Sequence, residues 1–423
     1  MTAPALPTSP NGIGSIYGTS RERPFDRWFR YPAGFSTRAL ELAAAAAAVP
    51  VGGRVAEPFL GSAATAWARG LARCSVVGIE THPLIADLAS TKLAPAPGPP
   101  EGLRKAAASL AAAAEPGDDQ AEALLVRRCF EPNVLRVLVG LRVALERPAR
   151  SPWRRYLRWA LLATLRDVAA VKVGWPYQRP DLPREAPFRD PTARFLTRAR
   201  MMAEDLEDAG PRPDGRVVRA DARTSSAWRR AAAGAPFDGC VTSPPYLNNF
   251  DYADATRLEL YFLGTVSSWA QMCDVVRSGM VVATTQQSAR RASERAERAL
   301  HRWPSAGPQL SDLTKALQQE RANRSRGKEY DQVLPTYFGD LAKVLGHLHK
   351  HLRSGAISAW IIGDSAPYGV YVDTPRLIAA LAEDLGFEPL DDVEVRSRGL
   401  RWRTNGSRHQ VPLSERLITF RRP

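Results

Sequence analysis

The residue types best suited to chemistry stand together in Thr242-Ser243-Pro244-Pro245-Tyr246, which we call the tip. Together with the residues that lead into it, 237–241, it predicts a short buried strand over residues 239–242. Each proline fixes its own φ and holds the residue before it extended, so the strand must end at the tip. In open α/β sheets, ligands bind beyond the carboxyl ends of the strands. A hydroxyl, a proline carbonyl and an aromatic ring at that edge suit a planar base that bears an amino group.

The motif alone is also compatible with an ordinary strand-to-loop turn, because Pro-Pro is common in loops. Three acidic residues favour a ligand site instead, since Glu57, Glu80 and Asp221 each close a predicted short strand. In nucleotide sites such carboxylates accept hydrogen bonds from ribose hydroxyls, and Gly61 lets the backbone of the first loop approach a ligand. Asp221 is equally suited to capping the helix that follows it.

Strands and helices alternate around these residues, which predicts an α/β fold. The Pro- and Gly-rich residues 95–100 mark a boundary, and residues 103–210 have a mostly helical pattern. The other predicted helices cover residues 37–49, 254–263, 337–352 and 375–385, and one more runs from the loop around Gly61 to about Leu71. The other predicted strands cover residues 54–56, 75–79, 217–221, 357–362, 393–395 and 417–420.

In four segments the chain resembles the DNA amino-methyltransferases, which methylate the exocyclic nitrogen of cytosine or adenine. Residues 57–65, Glu-Pro-Phe-Leu-Gly-Ser-Ala-Ala-Thr, resemble the family's S-adenosylmethionine loop, with Glu57 for Asp and Ala63 for a later Gly. Residues 78–83 resemble the acidic ribose-binding turn, and residues 31–35 resemble the segment beside the methionine end of the cofactor. The tip matches the target-amine motif, in the serine form typical of cytosine-N4 enzymes.

The resemblance implies a Rossmann-like S-adenosylmethionine-dependent methyltransferase sheet with a large helical insertion. It implies a catalytic tip in which the Ser243 hydroxyl and the Pro244 carbonyl accept hydrogen bonds from the target amine, next to Pro245, while Tyr246 stacks on the flipped base. The residues it implies for cofactor binding are Tyr31, Phe35, Glu57, Pro58, Phe59, Gly61, Ser62, Glu80 and Asp221.

Composition is consistent with an anionic partner. The 423 residues include 58 Lys and Arg against 44 Asp and Glu, a net charge of +14, which favours nucleic acid before a membrane surface. No apolar run approaches the roughly 20 residues of a membrane span, and the first 25 residues lack a signal-peptide pattern. The four cysteines are scattered, without the spacing of a zinc site. We therefore expect a cytoplasmic, metal-free protein with no membrane association.

Two arginine-rich stretches are candidates for contact with double-stranded DNA, although a charge run is usually a solvated helix face. One lies in the helical insertion and the other follows the tip. The selected residues are Arg154, Arg155, Arg158, Arg290, Arg291, Arg324 and Arg326.

The predicted organisation is a flexible arm over residues 1–26, a catalytic domain from residues 27–94 and 211–423, and a helical insertion over residues 95–210. A basic insertion, residues 286–330, interrupts the second catalytic part. We expect a DNA methyltransferase that favours N4 of cytosine. The alternatives are an adenine-N6 enzyme, an RNA methyltransferase, and a non-catalytic nucleic-acid-binding protein with an altered cofactor loop. A restriction nuclease or a phage-defence protein remains open as a partner.

Overall fold

The computed structural model describes residues 23–31, 37–147, 151–174, 179–184, 187–210, 212–247, 251–285, 290–398 and 411–423. Its central sheet consists of β1 (Arg54–Glu57), β2 (Ser75–Glu80), β3 (Gly215–Arg219), β4 (Phe237–Thr242), β5 (Leu352–Gly363), β6 (Glu388–Arg398) and β7 (Leu413–Arg421).

The strand order is β3-β2-β1-β4-β5-β7-β6. Strands β1 to β5 form a parallel sheet. Strand β7 is antiparallel to both β5 and β6. The order changes direction between β1 and β4, which makes the carboxyl ends of these two strands the topological switch point where such sheets bind ligands. This topology confirms the predicted α/β class and the Rossmann-like methyltransferase sheet.

Helices cover both faces of the sheet because successive strand residues point to opposite sides. Val55 belongs to the core under the first helix, whereas its neighbour Ala56 belongs to the core on the other face. The helices are α1 (Thr37–Ala47), α2 (Pro83–Leu93), α3 (Glu101–Ala113), α4 (Leu124–Arg127), α5 (Pro132–Glu146), α6 (Arg154–Val168), α7 (Pro191–Asp208), α8 (Ser225–Ala232), α9 (Arg257–Phe262), α10 (Trp269–Val275), α11 (Arg290–Ala299), α12 (Gly307–Ala322), α13 (Tyr330–His351) and α14 (Thr374–Asp384).

Short 3-10 turns and one small ribbon complete the described structure. The turns are Asp26–Trp28, Ala64–Trp67, Arg69–Leu71, Asp254–Thr256, Arg277–Gly279, Leu300–Arg302 and Pro367–Gly369, and the antiparallel ribbon pairs Val171–Lys172 with Arg179–Pro183. Of the helices in the described ranges, none has the length and apolar character needed to cross a membrane.

The helix predicted to run from the Gly61 loop to Leu71 is wrong. Two 3-10 turns replace it, separated by Ala68 in an extended conformation. The carboxylate of Glu41 on α1 accepts hydrogen bonds from the backbone N–H groups of Arg69 and Gly70, at 2.8 and 3.2 Å. A side chain from a distant element therefore binds the donors that an α-helix would have used internally.

Helices α3 to α7 lie between α2 and β3, where the insertion was predicted, and they share a hydrophobic core with residues 25–31 and 253–280. The last residues of the predicted arm are packed, since Phe25 is 1% exposed and stacks on Trp67 at 4.1 Å. The buried Asp205 of α7 accepts hydrogen bonds from the Phe25 N–H at 2.8 Å and the Trp28 indole at 2.7 Å. These bonds join the insertion to the segment that precedes the sheet.

Candidate active site

The cofactor loop (residues 57–65) and the tip meet at the switch point because β1 and β4 are paired, with Ala56 opposite Cys240. Thr242 donates a hydrogen bond from its hydroxyl to the Glu57 carboxylate. The same carboxylate accepts from the Thr65 hydroxyl at 2.8 Å and from the Phe59 N–H at 3.2 Å. One buried side chain therefore holds both segments in a fixed relation.

Glu57 was predicted to bind the cofactor, and the structure places it underneath the loop, 1% exposed. Burial raises the pKa of its carboxyl to about 8, although the hydrogen bonds from Thr242, Thr65 and Phe59 oppose the shift. The carboxyl is therefore mainly protonated at neutral pH. It can donate to one threonine hydroxyl while it accepts from the other.

The loop is docked on β2 by backbone contacts. Leu60 donates from its N–H to the Ile79 carbonyl at 3.1 Å. Its side chain fills the space above Gly78, where an added Cβ would lie 2.4 Å from Leu60. Gly61 and Ala63 both have positive φ, at 54° and 65°. Ala63 thus keeps the left-handed conformation that a glycine favours, at a cost of about 1–2 kcal/mol for a residue with a Cβ.

Glu80, the residue predicted to bind a ribose, lies at the end of β2 beside the loop. Its carboxylate accepts from the N–H groups of Gly61 at 2.8 Å and His82 at 2.7 Å. A carboxylate has about four lone-pair sites, so these two bonds leave capacity for the two hydroxyls of a ribose. Burial raises the pKa of this carboxyl to about 7. These free acceptor positions fit the ribose hydroxyls of S-adenosylmethionine.

The remaining predicted cofactor residues surround this corner. Tyr31 is buried, with its ring centre 6.4 Å from that of His82, and Phe59 packs edge-on against Trp360 at 6.2 Å. Pro58 is buried and Ser62 is partly exposed. Phe35 lies outside the described residues.

Asp221 lies two residues beyond β3, and its carboxylate is already engaged. It accepts from the N–H of Arg223 at 2.8 Å and from that residue's guanidinium at 2.9 to 3.1 Å. The guanidinium continues to Asp340 at 2.7 Å. The alternative role of Asp221 as a helix cap is wrong, because Thr224 caps α8 by accepting from the Ala227 N–H.

Side chains from distant parts of the chain hold the tip. The Tyr337 hydroxyl donates to the Pro245 carbonyl at 2.9 Å, and the Tyr246 hydroxyl donates to the carboxylate of Glu415. Tyr246 is 7% exposed, and the Arg398 guanidinium lies 5.0 Å from its ring centre. Ser243 is partly exposed and Pro244 is buried. The tip therefore presents the Ser243 side chain from a fixed backbone.

A glycine makes this packing possible. An added Cβ on Gly363, at the end of β5, would lie 3.1 Å from the Tyr246 ring and 2.0 Å from the Arg398 guanidinium. Sequence reasoning missed Gly363, Tyr337, Arg398 and Glu415 as parts of the site. Their elements were predicted in part, but each residue is far from the tip in the chain, and no local pattern marks the contact.

The arginines selected for nucleic acid lie on separate elements. On α6, Arg155 is exposed and 3.8 Å from Asp87, while Arg154 and Arg158 are partly exposed. Of the arginines selected in the second stretch, Arg291, Arg324 and Arg326 are exposed. The side chain of Arg290 is outside the described part of the structure. Within the described ranges, no group of three or more His, Cys, Asp or Glu residues is arranged to hold a metal ion.

Three curated proteins similar in sequence to the chain are methyltransferases. No family model matches the chain. It is 24% identical over 196 residues to the Type II methyltransferase M.BsoBI of Geobacillus stearothermophilus, covering 44% of this chain and 38% of that protein. It is 24% identical over 161 residues to the Type II methyltransferases M.AvaI of Nostoc sp. strain PCC 7120 and of Anabaena variabilis, covering 36% of this chain and 31% of each.

Among solved structures, a Thermus thermophilus protein described as a possible DNA modification methylase is 18% identical. It covers 21% of this chain and 37% of its own, with a TM-score of 0.17 that is too low to bear on the fold. The chain spans about a third of the length of the curated relatives that it matches. It is thus similar to Type II methyltransferases over a part of its length.

Proposed function

We propose that the chain is an S-adenosylmethionine-dependent DNA methyltransferase that modifies the exocyclic amine of a flipped base, with N4 of cytosine favoured. The observation that carries this proposal is the Glu57 carboxylate, which accepts hydrogen bonds from both the cofactor loop and Thr242 of the tip. This bridge joins the loop that carries the proposed ribose site to the tip proposed to hold the amine, on adjacent strands. The similarity to Type II methyltransferases supports the same reaction.

The chemistry requires alignment more than a strong base. The lone pair of a base amine is delocalised into the ring, and bound S-adenosylmethionine supplies a methyl group that its sulfonium already activates. The Ser243 hydroxyl and the Pro244 carbonyl accept hydrogen bonds from the amine and favour a pyramidal nitrogen. The bonds that fix Thr242, Pro245 and Tyr246 keep these two acceptors in place before the base arrives.

Tyr246 is proposed to stack on the flipped base, a contact worth about 1–3 kcal/mol in single-strand binders. Arg398 covers one face of this ring in the structure. Stacking on that face requires the guanidinium to move aside. The hydroxyl of Tyr246 has a separate role, since it holds the ring through Glu415.

For the cofactor, Glu80 is proposed to bind the ribose hydroxyls, with Tyr31, Phe35, Pro58, Phe59, Gly61 and Ser62 forming the walls and Glu57 supporting the loop. Asp221 is proposed to contact the adenine amine. That contact requires Arg223 to release part of the carboxylate that it now binds.

The favoured partner is double-stranded DNA, through Arg154, Arg155, Arg158, Arg290, Arg291, Arg324 and Arg326. The serine at position 243 favours cytosine, because a carboxylate or an amide is typical of the adenine-N6 enzymes. RNA methylation and non-catalytic binding remain the alternatives, and a nuclease or defence protein remains open as a partner.

The test is to incubate the protein with S-adenosylmethionine and either duplex DNA or RNA, and to identify the product nucleosides by mass spectrometry. We expect N4-methylcytosine from DNA. N6-methyladenine alone would overturn the base assignment, and methylated RNA with unmodified DNA would overturn the substrate. Calorimetry provides the second arm, in which Glu80→Ala should weaken cofactor binding. Absence of cofactor binding by the wild type would favour the non-catalytic alternative.

A further inference from the structure

The segment between α12 and α13, residues 323–329, presents three cations to solvent. Arg324, Arg326 and Lys328 are exposed. Arg324 is 3.3 Å from Glu320 in an exposed ion pair. Across the ranges that the structure describes, neither Arg326 nor Lys328 forms an ion pair. Within the described ranges, this basic segment therefore offers two cationic groups, on Arg326 and Lys328, that no acidic side chain pairs with.

Tyr368 fixes this segment from the turn that follows β5. Its hydroxyl donates to the Lys328 carbonyl at 3.0 Å and accepts from the Lys328 N–H. Its ring lies 4.8 Å from the Tyr330 ring, edge to face, and 4.4 Å from the Arg324 guanidinium. One tyrosine thus binds both backbone groups of Lys328 and packs against a residue on each side of it.

The backbone of Tyr368 is strained, with φ 56° and ψ 17°. A residue with a Cβ rarely adopts this left-handed conformation. Such a strained conformation persists only where surrounding contacts hold it, and it is often found at functional sites. A glycine would adopt it without strain. The chain instead keeps a tyrosine at this position, and the hydrogen bonds and ring contacts recorded for its side chain in the described residues are with the basic segment and Tyr330.

Helix α13 connects the basic segment to the tip. Tyr330 begins the helix next to Tyr368, and Tyr337 donates to the Pro245 carbonyl. Seven residues make about two turns, so the two tyrosines share one helix face about 10.5 Å apart along the axis. DNA advances about 3.4 Å per nucleotide along one strand, so this distance corresponds to about three nucleotides.

We propose that Tyr368 is a positioning residue that holds Arg324, Arg326 and Lys328 as a phosphate-binding site for the DNA strand within about three nucleotides of the target base. The proposal rests on the proposed function in taking DNA as the partner. The strained turn and α13 then set the distance between the held backbone and the tip.

The experiment measures binding of a fluorescent mixed-sequence DNA duplex by anisotropy over a range of salt concentrations, and it needs no methyl transfer. If Arg326 and Lys328 each neutralise a phosphate, the double variant Arg326→Ala/Lys328→Ala should make the slope of log K against log salt shallower by about 1.8. Tyr368→Gly should act in the same direction because it removes the side chain while relieving the backbone. Tyr371→Phe is the matched control, since its hydroxyl in the same loop donates to Asp364 at 3.2 Å instead.

An unchanged slope in the double variant would overturn the phosphate site. A changed slope there but not in Tyr368→Gly would overturn the positioning role. If the glycine variant does not fold, Tyr368→Phe takes its place, because it removes only the two bonds to Lys328.

A KM-against-kcat comparison adds a readout that general destabilisation would not reproduce. In methyl transfer, Tyr368→Gly should raise KM for DNA and leave kcat unchanged, whereas an equal loss in kcat would contradict a positioning role for the backbone. If the wild type binds DNA with the predicted slopes but methylates nothing, the proposed function fails and the phosphate site stands.

Discussion

The tip and the arginine-rich helical insertion were both singled out from sequence, and their side chains have different surroundings in the structure. The tip is held by partners 185, 92 and 169 positions away, through Thr242, Pro245 and Tyr246. In the insertion, many guanidinium groups are directed inward. The position of the tip could be predicted from sequence because its prolines constrain the backbone. The number of arginines in a segment did not show which of them face solvent and which are internal.

Arg142, Arg166 and Arg198 illustrate the inward group. They form ion pairs with Glu122, with Glu259 and, at 2.7 Å, with Asp167, respectively. Arg166 also lies 3.9 Å above the Phe29 ring and donates to the Ala255 carbonyl at 2.7 Å. Arg166 joins the insertion to residues outside it, whereas the ion pairs of Arg142 and Arg198 lie within the insertion. All three cations are engaged by acidic side chains and are not available to DNA phosphates.

The largest effect should follow from breaking an internal pair. Arg166→Ala leaves the Glu259 carboxylate, whose side chain is 0% exposed, without its cation. We expect the free energy of unfolding to fall by about 3–5 kcal/mol, as for other buried pairs that lose one partner. Urea denaturation measures this. Arg158→Ala on the same helix is the control, with an expected change within about 0.5 kcal/mol. Equal losses of unfolding free energy in the two variants would mean that inward and outward arginines contribute alike to stability.

The next effect concerns the carboxylate that joins the loop to the tip. The folded pKa of Glu57 is about 8, above the ordinary 4.5, so the folded state binds the proton more tightly than the unfolded state. Its contribution is therefore complete below pH 4.5 and is lost as the pH rises through 8. The slope is up to about 1.4 kcal/mol per pH unit, or about 2–3 kcal/mol between pH 6 and 8.

Glu57→Gln should remove this dependence, because the amide imitates the neutral carboxyl. Denaturation series at pH 6, 7 and 8 compare the two proteins. Parallel stability curves for wild type and variant would show that Glu57 does not hold a proton in the folded state.

A smaller effect is expected at the tip itself. Tyr246→Phe removes the hydroxyl that donates to Glu415, a residue 4% exposed. Leaving a buried acceptor without one of its donors costs about 1–3 kcal/mol. The rate of methyl transfer should fall as well, because the ring is no longer held in position by the hydrogen bond to Glu415. Unchanged stability and unchanged activity would mean that the ring of Tyr246 acts by stacking alone and that its hydroxyl has no role.

Features that depend on nearby residues were predictable from sequence, and features that depend on distant contacts were not. Strand-end acids and prolines have local effects on the backbone, so the sheet was predicted correctly, with Glu80 and the tip at strand ends. The roles of Glu80 and the tip stay predictions. The helix after Gly61 failed because Glu41, on another element, binds its donors. Tyr337 and Glu415 were missed for the same physical reason, since a contact between distant segments leaves no periodic trace in either one.

The smallest effect on stability should come from the outward arginines. Replacing Arg154, Arg155 and Arg158 together by Ala should change the slope of log K for DNA against log salt by up to about 2.7, if each contacts one phosphate. The unfolding free energy should hardly change, because these side chains are at least partly exposed. An unaltered slope would mean that this face is merely solvated.

The central claim is that the tip aligns the target amine for transfer. Ser243→Ala removes one acceptor, and the backbone of the tip stays held by Glu57 and Tyr337. The direct measurement is single-turnover methyl transfer to DNA, with calorimetric binding of S-adenosylmethionine measured on the same preparations. We expect unchanged cofactor affinity and a rate lower by about 10²–10³, as when one aligned hydrogen-bonding group is lost from a transition state. A wild-type rate in Ser243→Ala would contradict the account.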